Sequence, residues 1–179
     1  LNGAAILLRA AAQHWVQQKQ WQVDALMSVE DIADYGPALN GVGIKTKTVV
    51  GDQINEYDVA LVNTLLDIEL VGKLNTSMPV VLWAHEGNTL LFNWNIPLSN
   101  LTHNFSKCSQ IIFQTAWQSE HVFKSFIDHF PAQRIHHIPS GVQIEDVPHK
   151  ISHALSGTIK LITIGSVYQR KRQMDLINV

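Results

Sequence analysis

Pro79-Val80-Val81-Leu82-Trp83-Ala84 runs directly into His85-Glu86-Gly87, and this abrupt passage from apolar to charged decides the reading of the fold. The run is too short for a buried helix, so it reads as a strand buried on both faces, as strands of parallel sheets are. In open α/β sheets ligands gather just beyond the carboxyl ends of such strands. His85 and Glu86 stand at that edge and are the first candidates for a functional role.

Working outward, Leu7, Leu8, Ala11 and Trp15 follow the spacing of an amphipathic helix running from Ala4 to about Lys19. Trp21 to Met27 reads as a strand, Ile44 to Val50 as a weaker one and Asp58 to Val62 as a buried one, with Thr64 placed to cap a helix through Leu74. On the other side, Leu98 to Lys107 reads as a helix and Gln110 to Gln114 as a strand. Thr115 and Gln118 form a capping-box pattern ahead of Val122, Phe123, Phe126 and Ile127, and Arg134 to Ile138 is the next strand. Strands alternating with helices in this way predict an α/β protein with a Rossmann-like parallel sheet and helices on both faces.

The stretch 143–158 lacks periodicity and carries Asp146, Pro148, Ser152, Ser156 and Gly157, so it reads as an interdomain linker after a first domain over 1–142. Ile159 to Ile164 is again a strand, followed by Gly165 and the basic run Arg170-Lys171-Arg172, so 159–179 reads as the truncated start of a second Rossmann-like domain. Leu1 at one end and a helix broken off at Val179 at the other lead to the expectation of a fragment.

Composition narrows the functional classes. The chain has 179 residues, 46% hydrophobic and 16% charged, with a net charge of −2, so it offers no basic surface that would hold nucleic acid through its phosphates. One cysteine, Cys108, cannot form an internal disulfide, and no apolar run reaches the roughly 18 residues of a membrane span. A cytoplasmic location is the expectation, and the sequons at Asn75, Asn100 and Asn104 carry little weight there.

Arg170 and Lys171 lie near a helix start, where backbone N–H groups and the helix dipole favour an anion and adjacent cations clamp a diphosphate; the competing reading is a solvated basic cluster. His85-Glu86 is not a zinc-protease motif, because Thr89 occupies the position of the second histidine, and the competing reading is a pair that satisfies local hydrogen bonds. The remaining histidines are scattered, and His136 and His137 on one strand point to opposite faces, so no metal site is expected. Gly41-Val42-Gly43 precedes a strand and reads as a helix stop. Asn2-Gly3-Ala4 opens the first helix, where Gly3 would let a ligand approach the backbone and Asn2 would otherwise serve as a simple cap.

Taken together, four stretches resemble the retaining nucleotide-sugar glycosyltransferases of family four, enzymes of the two-lobed GT-B architecture. Leu1-Asn2-Gly3-Ala4-Ala5 is similar to the family's glycine loop, Trp83-Ala84-His85-Glu86 to its strand-end pair, and Arg134-Ile135-His136-His137-Ile138-Pro139-Ser140-Gly141-Val142 to the segment closing its first domain. Ile164-Gly165 with Arg170, Lys171 and Gln173 is similar to the start of its donor domain. The resemblance implies that Gly3, Gly165, Arg170 and Lys171 bind the donor, that Arg170 and Lys171 stabilise the departing diphosphate, and that His85 contacts the transferred sugar. Asn2 and Glu86 become cleft residues, Glu86 without an assigned role.

The resemblance further implies a nucleotide-sugar donor, a saccharide, lipid-linked or protein acceptor, and no obligatory metal or other cofactor. It points to a bacterial polysaccharide or glycan pathway, and it leaves room for peripheral association with the inner face of a membrane. The family's first strand would precede Leu1 and its acidic donor-binding pair would follow Val179, so this piece alone is expected to be inactive. Ser140, Ser166 and Arg172 depart from the family pattern, which puts donor preference in doubt. The alternatives are a non-catalytic GT-B-fold binding module, and a nucleotide-sugar epimerase on the same scaffold.

Overall fold

The computed structural model describes residues 3–48, 56–87 and 97–141. Helix α1 spans Gly3–Lys19 and ends where Gln20 turns into a left-handed conformation at φ 56°. The Trp21 amide then closes back on the Trp15 carbonyl and the two indoles meet at 6.1 Å. Strand β1 (Asp24–Met27) leads into α2 (Val29–Asn40), whose Ser28 cap accepts from the Asp31 amide, and β2 (Lys45–Thr48) pairs with β1 in parallel. Between α2 and β2, Gly43 stands at φ 85°. A Cβ there would lie 3.0 Å from the Val16 methyl of α1, so glycine is required both by conformation and by the close approach.

The second half is a run of βα units. Strand β3 (Ala60–Val62) passes through a single 3₁₀ turn (Leu65–Asp67) into α3 (Ile68–Leu74), then β4 (Val80–Ala84), α4 (Leu98–Lys107) and β5 (Gln110–Phe113). After β5 a π-helical turn (Gln118–Val122) precedes the short α5 (Lys124–Ile127), and a 3₁₀ turn (Ala132–Arg134) enters β6 (Ile135–His137). The four strands form one parallel sheet in the order β3-β4-β5-β6. The chain is therefore α/β, with a parallel four-strand sheet flanked by helices.

Two expectations need correction. The described strands do not make one continuous sheet: β1 and β2 stand as a separate parallel pair, with no ladder to β3. Nor is the 79–84 strand buried on both faces. Val80, Leu82 and Ala84 have no exposure at all, whereas Val81 and Trp83 between them are only half-buried. Strand order explains this. When consecutive parallel strands are neighbours and each crossover has the same hand, their helices all fall on the same side of the sheet.

That side holds the core. Val62, Val80, Leu82, Ala84, Ile111 and Phe113 from the strands close on Ile68 and Val71 of α3, Leu101 and Phe105 of α4, and Phe123 and Ile127 around α5. Phe123 stands 5.5 Å from Phe113 and 5.8 Å from Phe105, so one ring bridges sheet and helix. Cys108 lies buried at the end of α4, where burial pushes its thiol up to about 12, far from a reactive thiolate. Among the described residues no helix is long and apolar enough to cross a membrane.

Leu82 sits at the centre of this packing with no exposed surface. Leu82→Ala is expected to lower unfolding stability by roughly 2–5 kcal/mol, the cost of lost transfer energy plus a cavity. Trp117→Ala, at a residue 53% exposed, is expected to change it by less than about 0.5 kcal/mol. Urea titrations of the two variants would reverse this assignment of the core if their midpoints moved equally.

Candidate functional site

Three strands end side by side, and each is followed at once by a polar residue: Asn63 after β3, His85 after β4, Gln114 after β5. The parallel register sets these residues along the carboxyl edge of the sheet. There they bond to one another. His85 Nε2 lies 3.1 Å from Asn63 Oδ1, and Gln114 Nε2 lies 2.7 Å from His85 Nδ1. The Trp83 ring packs against the imidazole at a centroid distance of 4.7 Å, and its own N–H is buried with no acceptor among the described residues.

The edge also receives the start of α1. Asn63 Nδ2 donates to the carbonyl of Ala4 at 3.3 Å, so the first turn of α1, with Gly3, is tied through one amide to His85. No acidic residue occupies that first turn, so the positive end of this 17-residue helix meets no carboxylate of its own.

Glu86 turns inward. Only 5% exposed, it accepts the Thr64 hydroxyl on Oε1 and the backbone amides of Leu65 (3.1 Å) and His85 (3.0 Å) on Oε2. Its backbone carbonyl accepts from the side-chain Nε2 of Gln118 at 3.1 Å. The Gln118 Oε1 in turn accepts from the backbone amides of Gln114 and Thr115, while the Gln118 backbone N–H donates to the Thr115 hydroxyl, which is the capping box expected from the sequence. Two side chains thus bind the ends of β3, β4 and β5 into one unit.

Burial pushes the His85 imidazole below its ordinary value, and the Glu86 carboxylate only partly offsets this. Burial also raises the Asp67 carboxyl, with the negative charges of Glu86 and Asp31 adding to the effect. At neutral pH His85 is therefore an uncharged ring with one N–H and one lone pair, suited to exchange hydrogen bonds with a neutral ligand.

Elsewhere the chemistry is weaker. Asp24 meets Lys47 at 2.7 Å and accepts the Tyr57 hydroxyl at 2.8 Å; burial alone would raise its carboxyl, but those hydrogen bonds hold it below the usual value. A depression of about 320 Å³ lined by Ser119, Lys124, Asp128 and His137 holds a Ser119–His137 pair at 2.8 Å. The hydroxyl already donates to the Ala116 carbonyl, so His137 donates to it and does not activate it as a nucleophile. Among the described residues no three His, Cys, Asp or Glu side chains converge to hold a metal.

Of the residues singled out from sequence, Gly3, His85 and Glu86 come together at this edge, whereas Asn2, Gly165, Arg170 and Lys171 lie outside the described residues. Sequence reasoning passed over Asn63 and Gln114. The signal was present, because each directly follows an apolar run, as His85 does: Ala60-Leu61-Val62-Asn63 and Ile111-Ile112-Phe113-Gln114. Comparison with protein-family models, curated proteins and solved structures finds no match.

Two outcomes test this geometry. Glu86→Gln would place an amide N–H against one of its three donors, and is expected to cost roughly 1–3 kcal/mol in urea unfolding; an unmoved midpoint would remove Glu86 from its bridging role. For His85, the folded chain releases the proton more readily than the unfolded one, so its contribution is complete above pH 6.5, the ordinary value, and is lost as acid takes the pH below it. Between about pH 7.5 and 5.5 the native chain should lose more stability than His85→Gln. Equal losses would trace the acid sensitivity to other groups.

Proposed function

We propose that this chain is the first lobe, and the beginning of the second, of a retaining glycosyltransferase that moves a sugar from a nucleotide-sugar donor to a saccharide, lipid-linked or protein acceptor. The observation that carries the reading is the link Ala4–Asn63–His85, which joins the glycine turn at the start of α1 to the strand-end histidine. Those are the two elements that the resemblance puts on one wall of a donor site. Each does what that site needs. The first turn of a long helix, free of acidic side chains, favours a phosphate oxygen. A neutral His85 addresses hydroxyls.

The interrupted sheet supports the same reading. In the doubly wound order 3-2-1-4-5-6, removing the first strand leaves a two-stranded piece and a run of three consecutive strands; β1–β2 and β3–β6 divide in the same way, with one strand more in the run. The finer reading as a GT-B lobe rests on this pattern together with the motifs at 134–142 and 164–173.

In the proposed reaction, Arg170 and Lys171 neutralise the diphosphate as its bond to the sugar lengthens, where fixed cations stabilise developing charge most. The experiment uses the protein with both lobes, an NMR-monitored transfer assay and a panel of nucleotide-sugars. Lys171→Ala is expected to weaken donor binding and turnover by at least about tenfold, or ~1.4 kcal/mol. His85→Ala should lower kcat with less effect on donor affinity, and the product should keep the donor's anomeric configuration. Unaltered donor affinity and rate in Lys171→Ala would count against the assignment. Donor isomerised without an acceptor would favour an epimerase, and donor bound without turnover a binding module.

A further inference from the structure

Hydrogen-bond polarity can be followed inward from a group with a single possible role. The Ala4 carbonyl can only accept, so the Asn63 nitrogen must face it. That orientation turns Asn63 Oδ1 toward His85 Nε2, 3.1 Å away, and an amide oxygen also only accepts. His85 Nε2 must therefore carry the proton. In the neutral ring Nδ1 is then a lone pair, and the group beside it, 2.7 Å away, is the Gln114 amide nitrogen, a donor. Every step agrees with the next.

We propose that Asn63 is a positioning residue that fixes His85 as the Nε2–H tautomer, making Nδ1 an acceptor whose partner Gln114 gives way to a donor hydroxyl of the bound sugar. The geometry limits what can occupy the site. Nε2–H is committed to Asn63, whose other end anchors a helix, whereas Nδ1 is committed only to the flexible carboxamide of half-buried Gln114. A sugar hydroxyl brings the hydrogen that Nδ1 needs; an ionised phosphate oxygen brings only lone pairs. The edge thus favours a hydroxyl over a phosphate oxygen at His85. The assignment to a sugar hydroxyl rests on the glycosyl-transfer reading. The tautomer does not.

The test reads the ring nitrogens directly, by NMR of the full chain labelled with nitrogen-15 histidine at about pH 8.5, where the ring is neutral. His85 should show a pyrrole-type Nε2 and a pyridine-type Nδ1. Asn63→Ala should replace this single form by a mixture of tautomers. Asn63→Asp, which keeps an acceptor for Nε2–H but loses the donor to Ala4, should restore it. Gln114→Ala should leave the tautomer in place, because Gln114 follows the choice and does not make it. A pyrrole-type Nδ1 in the native chain, an unchanged spectrum in Asn63→Ala, or a tautomer switched by Gln114→Ala would each overturn the proposal, and the native spectrum decides even if a variant fails to fold. A native Nε2–H tautomer in a protein that transfers no sugar would remove the glycosyl-transfer reading alone.

Discussion

The carboxylate of Glu86 is the constraint on which the candidate site depends. Where parallel strands end and helical turns begin, backbone amides lose their ladder partners and must find others or incur roughly 1–3 kcal/mol each. Here one buried side chain takes the Leu65 and His85 amides and the Thr64 hydroxyl, so a single group closes both the exit from β3 and the exit from β4. Gln118 does the same for the exit from β5, and it is joined to the first knot through the Glu86 carbonyl. His85 lies beside this knot with its own amide held, so its ring has a fixed place between Asn63 and Gln114.

The fold leaves that edge open by the way it distributes its helices. With β3 to β6 in consecutive order, α3, α4 and α5 pack over the Val80, Leu82 and Ala84 side, and the core of aromatic and aliphatic side chains sits there. Trp83 and His85 alternate onto the other side, which is only half-buried. Residues that bind a ligand need this combination: a backbone anchored in the core and a side chain on the face the core does not consume. The same alternation that buries Ala84 turns its neighbour His85 outward.

How much of this the sequence disclosed depended on the range of the interaction. Local patterns were legible: the helix over Leu98–Lys107, the strand ending at Ala84 and the Thr115–Gln118 capping box are each fixed by residues within a few positions of one another. Helix α2 is legible only from its stop at Gly41-Val42-Gly43, because Gly36 and Pro37 interrupt its pattern even though the cap of Ser28 and Asp31 is there to be seen. The π-helical turn at Gln118–Val122 was out of reach, since it forms where Gln118 is drawn toward the Glu86 carbonyl 32 positions away. The one-sided burial of β4 and the division of the sheet follow from strand order, which periodicity does not encode. Asn63 and Gln114 escaped because an amide has no motif of its own. Its meaning comes from its neighbour, and here that neighbour is a histidine on another strand.

Charge distribution sets a division of labour for any reaction at this edge. The groups bonded into the edge network are amides, a hydroxyl, a neutral imidazole and a carboxylate, and none is a cation. Glu86 and Asp67 add negative potential close by. Among the described residues this network offers a dianionic leaving group no full countercharge, and the start of α1 adds only the partial charge of a helix dipole. In the proposed mechanism, neutralising a departing diphosphate therefore requires cations from outside this network. That requirement is what gives Arg170 and Lys171, otherwise an ordinary basic pair in the sequence, a specific chemical task in the proposed mechanism.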